Sequence, residues 1–441
     1  MMKNRIGFLM LFICSLMFSQ QTTFKFDFGG ERTENGYIPV TSVSKFNRKI
    51  GYGFMDTSGL KSVDRGGSAL TGDFITSDKP FYFSVALPEG NYNIKLNLGD
   101  SKGTSETTVR VENRRQLLND LKTKEGEIAE KTITVHIKDS IIRNQNGDKI
   151  GIVKLKPREK KYLHWDNLLT IEFNDKAPKV CSVIIQPNKT AKTIYLTGDS
   201  TVVDAQYEPW ASWGQMLPYF FVPNEVVVAN YAESGETLKA FEDRHRIDKI
   251  WNKLKSGDYL FIQFGHNDQK YGNSEKSGYR KRLKEWVQKA KQLGAIPVVV
   301  TSMNRRVFDE NNKIVNTLDD FPTAMREVAK EEKVCLIDLN VLSKTLFEAM
   351  GPEAAKKAFV YYPANSYPNQ PQALADDTHF NAYGAYELAK CIIKSIVDQN
   401  LPLKKYISKD YKSFNPNKPD DVEKFHWPES VFMESLKPDG N

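Results

Sequence analysis

The fold of this chain is indicated by the segment Thr193-Ile-Tyr-Leu-Thr-Gly198-Asp199-Ser200-Thr201. An apolar run here ends in a polar turn, as expected for a buried strand. Similar runs follow at Val226–Asn230, Tyr259–Gln263, Pro297–Thr301 and Val334–Leu339. Stretches with helical spacing of apolar residues occur at Thr237–Leu254, Tyr279–Leu293, Phe321–Lys333 and Ala382–Val397. This alternation predicts an α/β fold in which helices cover both faces of a mostly parallel sheet.

The residues before about position 190 have a different pattern. Short runs such as Phe81–Leu87 and Tyr92–Leu98 alternate in polarity with period two, and Gly, Pro and Asn-Gly punctuate them. This pattern favours antiparallel β structure, and a β-sandwich in particular. A short polar segment, 188–192, reads as a linker to the part that follows.

We therefore expect an all-β sandwich domain at residues 21–188 and an α/β domain at 193–402. A polar, proline-containing tail, 403–441, is expected to pack on the body. Its possible anchors are Phe425, Trp427 and Phe432.

Composition excludes few classes of protein. The chain has 441 residues, of which 40% are hydrophobic and 11% aromatic, enough for sizeable cores. A net charge of +7 without a basic stripe and interleaved aromatic residues does not indicate nucleic-acid binding, and no protein partner is implied. Cys181, Cys335 and Cys391 form no C-x-x-C pattern, so neither a zinc site nor a disulfide framework is indicated.

The first residues have the pattern of an export signal. Lys3 and Arg5 precede the apolar run Ile6–Phe18, which is too short to span a membrane. We expect residues 1–19 to be a signal peptide and the mature protein to be periplasmic or extracellular. No later segment is apolar enough to span a bilayer. The flanks of Cys14 fit a lipidation site poorly, so a lipid anchor is not expected.

Three candidate functional residues follow three of the expected strands. Ser200 comes directly after the first strand, Gly235 follows the second and Asn267 follows the third. Because parallel strands end at one edge of a sheet, these residues should lie at the same edge. Each also has an ordinary structural interpretation, such as a solvated turn serine, a glycine that permits a turn, or an asparagine that caps one.

A candidate base occurs further along the chain, in Asp376-Asp-Thr-His379. A serine hydroxyl needs a base to become a good nucleophile, and the imidazole of His379 can act as one. Asp376 can orient the ring and stabilise its charged form, and Asp377 competes for that role. Alternatively, His379 is a surface histidine at the start of a helix.

Together these segments resemble the motifs of the SGNH, or GDSL-like, hydrolases. The matching blocks are Gly198-Asp-Ser200, Asn230-x-Ala-x-x-Gly235, Gly265-x-Asn267-Asp268 and Asp376-x-x-His379. The first block lacks the leucine of GDSL and has Thr201 in its place, as in the rhamnogalacturonan acetylesterase branch. The upstream part resembles a galactose-binding-like β-sandwich, through Phe24-Lys-Phe-Asp-Phe-Gly29 and Gly51-Tyr-Gly-Phe54.

The resemblance implies a flavodoxin-like three-layer α/β/α sandwich and a serine esterase that uses neither metal nor other cofactor. It assigns catalysis to Ser200, Asp376 and His379. The oxyanion hole would consist of the backbone N–H groups of Ser200 and Gly235 and the side-chain amide of Asn267.

Two further pairs of side chains each have two interpretations. Arg305 and Arg306 follow the fourth strand and could bind the carboxylates of galacturonate, or they could be a solvated basic pair. Trp210 and Trp213 could stack on sugar rings, although their spacing of three also fits one apolar helix face with a ring in the core.

The expected function is that of an exported carbohydrate esterase that removes O-acetyl groups from a plant polysaccharide, with rhamnogalacturonan of pectin as the first candidate. One alternative is an esterase acting on acetylxylan, another glycan or a lipid-like ester. Another alternative is a carbohydrate-binding protein without activity. The intact set of Ser200, Asp376 and His379 favours an enzyme.

Overall fold

A computed structural model describes residues 22–30, 32–368 and 370–431. The expected signal peptide, Cys14 and Phe432 lie outside these ranges. None of the helices in the described part of the chain is long and apolar enough to cross a membrane.

The first half of the described chain, residues 22–187, consists mainly of β-strands and is called the β-rich half below. Its strands, numbered in chain order, are β1 Phe24–Phe28, β2 Ile38–Val40, β3 Tyr52–Phe54, β4 Lys61–Asp64, β5 Asp73–Thr76, β6 Phe81–Ala86, β7 Gly90–Gly99, β8 Ser105–Val111, β9 Arg115–Thr123, β10 Ile128–Ile137, β11 Ile141–Arg143, β12 Lys149–Ile152, β13 Leu168–Ala177 and β14 Lys179–Pro187.

Two sheets of the β-rich half pack face to face. One has the order β10-β7-β14-β1-β2, with β5 also pairing with β14 and β4 with β5; the other has the order β3-β6-β13-β8-β9. Phe26 and Phe28 of the first sheet contact Phe83 of the second, with ring centroids 5.0 and 4.9 Å apart. Alternating apolar residues thus point into one shared core, which explains the period-two pattern.

Residues 192–398 form the α/β half. Its strands are β15 Lys192–Gly198, β16 Val226–Asn230, β17 Tyr259–Gln263, β18 Ile296–Val300, β19 Cys335–Ile337, β20 Phe359–Tyr362 and β21 Leu374–Phe380. Its helices are α1 Trp213–Met216, α2 Leu238–Asp243, α3 Arg246–Lys253, α4 Tyr279–Gln292, α5 Phe321–Glu332, α6 Leu339–Met350 and α7 Ala382–Asp398.

Five parallel strands form the central sheet, in the order β16-β15-β17-β18-β19. Residues of α1, α6 and α7 pack on one face and residues of α2 to α5 on the other. This is the expected three-layer sandwich, with the flavodoxin-like order 2-1-3-4-5. The strand order reverses between β15 and β17, and a crevice is expected at that point, beside the carboxyl ends of both strands.

The structure corrects three details of the expected elements. The stretch Thr237–Leu254 contains two helices, because His245 has a left-handed conformation (φ 58°) that interrupts the helix. Helix α6 was not predicted. Asp376 and His379, whose spacing of three fits a short loop, lie instead on β21, which pairs with β20.

Buried ion pairs join the two halves. Arg115 lies 2.7 Å from Asp204, and both side chains are 1% exposed. Arg114 pairs with Glu208 at 2.6 Å. Asp204 and Glu208 belong to the loop that follows Ser200, so the β-rich half holds this loop directly.

The segment after α7 crosses both halves. The ring of Phe425 packs against Tyr386 of the α/β half, with centroids 5.3 Å apart. Arg110 of the β-rich half lies over the ring of Trp427, 3.6 Å from its centroid. Both aromatic residues therefore act as anchors for this segment.

Candidate active site

Ser200 lies in a tight turn at the carboxyl end of β15. The turn is supported by Asp199, which is fully buried and accepts hydrogen bonds from the Thr201 N–H (2.9 Å) and hydroxyl (2.8 Å). Burial acts to raise the pKa of Asp199, but the nearby His266 and the bonds from Thr201 outweigh burial and hold that pKa below its usual value. A buried, ionised carboxylate thus fixes the backbone that carries Ser200.

The side chains of Ser200, His379 and Asp376 form a hydrogen-bonded chain. The His379 Nε2 atom is 2.9 Å from the Ser200 Oγ atom, and the His379 Nδ1 atom is 2.7 Å from Asp376 Oδ2. Burial acts to raise the pKa of Asp376, but its hydrogen bond with His379 and the charge of that ring outweigh burial and lower the pKa. The ionised carboxylate favours a proton on Nδ1, which leaves Nε2 free to accept the serine proton.

The carboxylate of Asp377, the competitor for this role, points to Arg306 and Tyr361 and not to the His379 ring. Its Oδ1 atom lies 2.6 Å from Arg306 Nε and 2.5 Å from the Tyr361 hydroxyl. Asp376 is therefore the carboxylate that contacts the His379 ring.

Gly235 and Asn267 are brought to the same cavity as Ser200 and His379. Gly235 is the third residue of a turn closed by the Glu236 N–H donating to the Glu233 carbonyl (3.2 Å). Its φ of +74° is the reason for glycine at this position. The Asn267 amide donates to the Glu236 carbonyl (3.2 Å), which leaves its second proton available to the cavity.

The cavity has a volume of about 450 Å³. Besides the residues named above, its lining includes Val203, Ala205, Gln206, Tyr207, Trp210, Ala211 and Ser234 from the α/β half. Arg158 and Tyr162 of the β-rich half complete the wall. Sequence reasoning missed these two residues, because no local pattern marks a residue that reaches the site from the other half of the chain.

The two tryptophans have separate places. Trp213 is fully buried, and its indole N–H donates to the Gln263 side chain at 2.8 Å. Trp210 lines the cavity. A neighbouring cavity of about 830 Å³ shares Trp210, Gln206 and Tyr207 with the first and leaves room beside it for a larger molecule.

Arg305 and Arg306 are not among the residues that line the Ser200 cavity. Arg305 donates to the carbonyl and hydroxyl of Thr317, and Arg306 is bound to Asp377 and Tyr361. Their suggested contact with substrate stays a prediction.

One group of side chains in the described residues has the composition of a metal site. Ligand atoms of Glu106, Asp120, Asp175 and His426 lie within 4.8 Å of one another. The Lys122 ammonium lies 3.1 Å from Asp120 and 3.7 Å from Glu106, so a protein cation already pairs with two of the three carboxylates. None of the four residues lines the Ser200 cavity.

The fold and the hydrogen-bonded serine are those of an ester hydrolase of the SGNH type. Residues 196–386 match the model of the GDSL-like lipase/acylhydrolase family. Residues 24–142 match the galactose-binding domain-like model of β-agarase and YXIM esterase-like proteins. The chain belongs to the GDSL-like lipase/acylhydrolase family, and it is an ester-hydrolysing enzyme with a galactose-binding-like domain before the hydrolase.

Related proteins match either one half or both halves of this chain. Rhamnogalacturonan acetylesterase RhgT of Bacillus subtilis (strain 168) is 42% identical over 217 residues, which is 48% of this chain and 93% of RhgT. The uncharacterized esterase YxiM of the same organism is 27% identical over 89% of this chain and 97% of its own length. The crystal structure of YxiM covers 86% of this chain and 99% of its own, with 26% identity and a TM-score of 0.45.

Proposed function

We propose that this protein is an exported carbohydrate esterase that removes O-acetyl groups from a plant polysaccharide, and that its substrate is rhamnogalacturonan. The observation that carries the proposal is the hydrogen-bonded chain from Ser200 through His379 to Asp376 within one cavity. The relative RhgT, a rhamnogalacturonan acetylesterase, supports the choice of polymer.

In the first half of the reaction, the Ser200 oxygen attacks the carbonyl carbon of the acetyl group while His379 Nε2 takes the serine proton. The negative charge on the carbonyl oxygen is stabilised by the N–H groups of Ser200 and Gly235 and by the Asn267 amide. When the intermediate collapses, the bond to the sugar oxygen breaks and His379 returns its proton to that oxygen. The sugar leaves as an alcohol, and Ser200 is acetylated.

The second half of the reaction uses the same groups. His379 takes a proton from a water molecule, which attacks the acetyl carbon of acetyl-Ser200. The new intermediate collapses by breaking the bond to Ser200 Oγ, which receives the proton from His379. Acetate leaves and the free hydroxyl is restored.

The shape of the site supports a polymeric sugar substrate. The cavity at Ser200 has a volume of about 450 Å³, which is within the range of small-ligand sites, and the adjoining cavity shares Tyr207 and Trp210 with it. Aromatic side chains at such a junction can stack on further sugar rings of the polymer.

The test is acetate release from acetylated rhamnogalacturonan and acetylated xylan by the wild-type protein and by Ser200→Ala. We expect faster release from rhamnogalacturonan and none above background with Ser200→Ala, whose melting temperature should be unchanged. Preference for xylan, or for aryl esters of long acyl chains, would reject the proposed substrate. Near-normal release by Ser200→Ala would reject the mechanism.

Export is the second part of the proposal. It is supported by the sequence of residues 1–19, which has a basic start and a short apolar run. Amino-terminal sequencing of protein collected outside the cytoplasm should find a start near residue 20. Full-length protein retained in the cytoplasm would contradict it.

A further inference from the structure

Two cationic side chains of the β-rich half donate hydrogen bonds to the peptide group between Ser234 and Gly235. Its carbonyl oxygen accepts a hydrogen bond from Lys156 Nζ at 2.5 Å and another from Arg158 Nη2 at 2.6 Å. The N–H of the same peptide unit belongs to Gly235, which lines the cavity together with Ser200. Within the described residues this N–H donates to no protein group, so it is available to a substrate oxygen.

The orientation of this peptide is not determined by the turn alone. The turn Glu233–Glu236 has a positive φ at Gly235 and none at Ser234, which makes it a type II turn. A type I turn differs from a type II turn by a rotation of the central peptide, so its carbonyl and its N–H point in the reverse directions. The carbonyl and N–H of a trans peptide point in opposite directions, so donors that hold the carbonyl on one side also hold the N–H on the other.

Both cations are held in place by carboxylates of the same turn. Lys156 pairs with Glu236 at 2.5 Å, where the two side chains are 14% and 0% exposed. Arg158 lies 2.5 Å from Glu233, whose side chain is 1% exposed. Both carboxylates belong to the turn itself. The two cations therefore bind the turn at three acceptors, which are the Ser234 carbonyl and the carboxylates of Glu233 and Glu236. This arrangement resists rotation of the Ser234–Gly235 peptide.

We propose that Lys156 and Arg158 are positioning residues for oxyanion stabilisation, acting through the Ser234–Gly235 peptide. Hydrogen bonds from cations are stronger than neutral ones, and they polarise the peptide so that its N–H becomes a better donor. A donor that is already oriented needs no reorganisation when charge develops on the substrate. This inference rests on the proposed function, since it requires the Gly235 N–H to face the substrate oxyanion.

The first test compares Arg158→Met and Lys156→Met with Lys154→Met. Lys154 is a matched control, because it lies on the same segment and its ammonium also donates to a backbone carbonyl of the α/β half, that of Asp243 (3.1 Å). Lys154 does not line the cavity. We expect kcat to fall about tenfold for each of the first two variants and about 10²-fold for the double variant, with KM nearly constant. The losses of the single variants stay below that for complete removal of an oxyanion donor, about 10²- to 10³-fold, and the loss of the double variant reaches its lower end.

A second measurement separates positioning from a merely structural role. Phenylboronic acid forms a tetrahedral adduct on a reactive serine and so reports stabilisation of the intermediate. Its inhibition constant should rise in Arg158→Met by the same factor as kcat falls, and Arg158→Lys should restore part of both. A kcat within twofold of that of Lys154→Met would overturn the proposal. So would a loss found in KM alone, because Arg158 would then bind substrate and transition state equally.

The fold of each variant is checked by its melting temperature. Each substitution removes a cation from a buried carboxylate, Glu233 for Arg158→Met and Glu236 for Lys156→Met. The Arg158 side chain is 47% exposed and that of Lys156 is 14% exposed, so Arg158→Met is the milder change and decides the question if Lys156→Met does not fold. Ser200→Ala is measured in parallel. Activity in that variant would reject the proposed function, whereas an inactive Ser200→Ala beside a fully active Arg158→Met would reject only this inference.

Discussion

Replacing Asp376 by asparagine should place the proton of His379 on the wrong nitrogen. In the wild-type protein, one carboxylate oxygen of Asp376 accepts the backbone N–H groups of Thr378 (2.8 Å) and His379 (3.0 Å). The other oxygen faces His379 Nδ1 at 2.7 Å. Asparagine has a single oxygen, and the two backbone N–H groups require it. Its NH₂ group must therefore face Nδ1.

The consequence is a reversal of the ring tautomer. An NH₂ group donates, so Nδ1 must become the acceptor and the proton moves to Nε2. A protonated Nε2 atom cannot take the proton of Ser200, which lies 2.9 Å away. The corresponding loss in serine hydrolases is about 10⁴-fold in kcat, equivalent to about 5.5 kcal/mol of transition-state stabilisation.

The assay is the initial rate of acetate release, with kcat and KM determined separately. We expect Asp376→Asn to lower kcat by about 10³- to 10⁴-fold and to change the melting temperature little. Asp377→Asn is the matched control, because it makes the same change one residue away on a carboxylate that pairs with Arg306. Its kcat should stay within about tenfold of wild type, since this pair is partly exposed.

Two results would refute this reasoning. A kcat for Asp376→Asn within tenfold of wild type would mean that the tautomer of His379 does not depend on this carboxylate. An equal loss in Asp377→Asn would mean that the local strand, rather than the contact with the ring, is what both substitutions disturb.

Three other predictions concern the oxyanion, the contact between the halves and a buried carboxyl group. Asn267→Ala should lower kcat by about 10²- to 10³-fold with little change in KM, and a loss in KM instead would contradict a role in the transition state. Arg115→Met should lower the free energy of unfolding in urea by about 3–5 kcal/mol, because it leaves the carboxylate of Asp204 buried without its partner; a loss below about 1 kcal/mol would show that Asp204 is stabilised otherwise. Burial and the charge of Asp27 raise the pKa of Asp73 from 3.8 to about 6, so its proton stabilises the folded state at low pH and this contribution is lost as the pH rises through about 6. Asp73→Asn should therefore raise the melting temperature more at about pH 8 than at about pH 5, and the opposite order would contradict the raised pKa.

Much of the fold could be predicted because it follows from local pattern. The apolar runs at Val226–Asn230 and Tyr259–Gln263 are strands with those same bounds, since a strand buried on both faces needs a continuous apolar run. The break at His245 could not be predicted, because a single left-handed residue leaves the helical spacing nearly intact. Helix α6 was missed because only Asp338 separates it from the end of β19, so the apolar residues of the two elements run together in the sequence.

The candidate site was predictable to the extent that its residues follow strands. Ser200, Gly235 and Asn267 come after successive strands of one parallel sheet, so the sequence alone determined that they lie at a common edge. It also supplied the short spacing from Asp376 to His379, and the structure places the Asp376 carboxylate against the ring while Asp377 contacts Arg306.

Only the tertiary structure decided which other residues lie beside Ser200, Gly235 and Asn267. Lys156 and Arg158 reach the Gly235 turn from the other half of the chain, about 80 residues away in sequence. Arg305 and Arg306, for which the sequence left a substrate contact and a solvated basic pair both open, bind groups outside the cavity. The spacing of apolar residues in a sequence indicates which face of a helix or strand is buried, because residues on one face recur at a fixed interval along the chain. Contacts between the two halves depend on how they pack together in three dimensions, and no local repeat in the sequence records that.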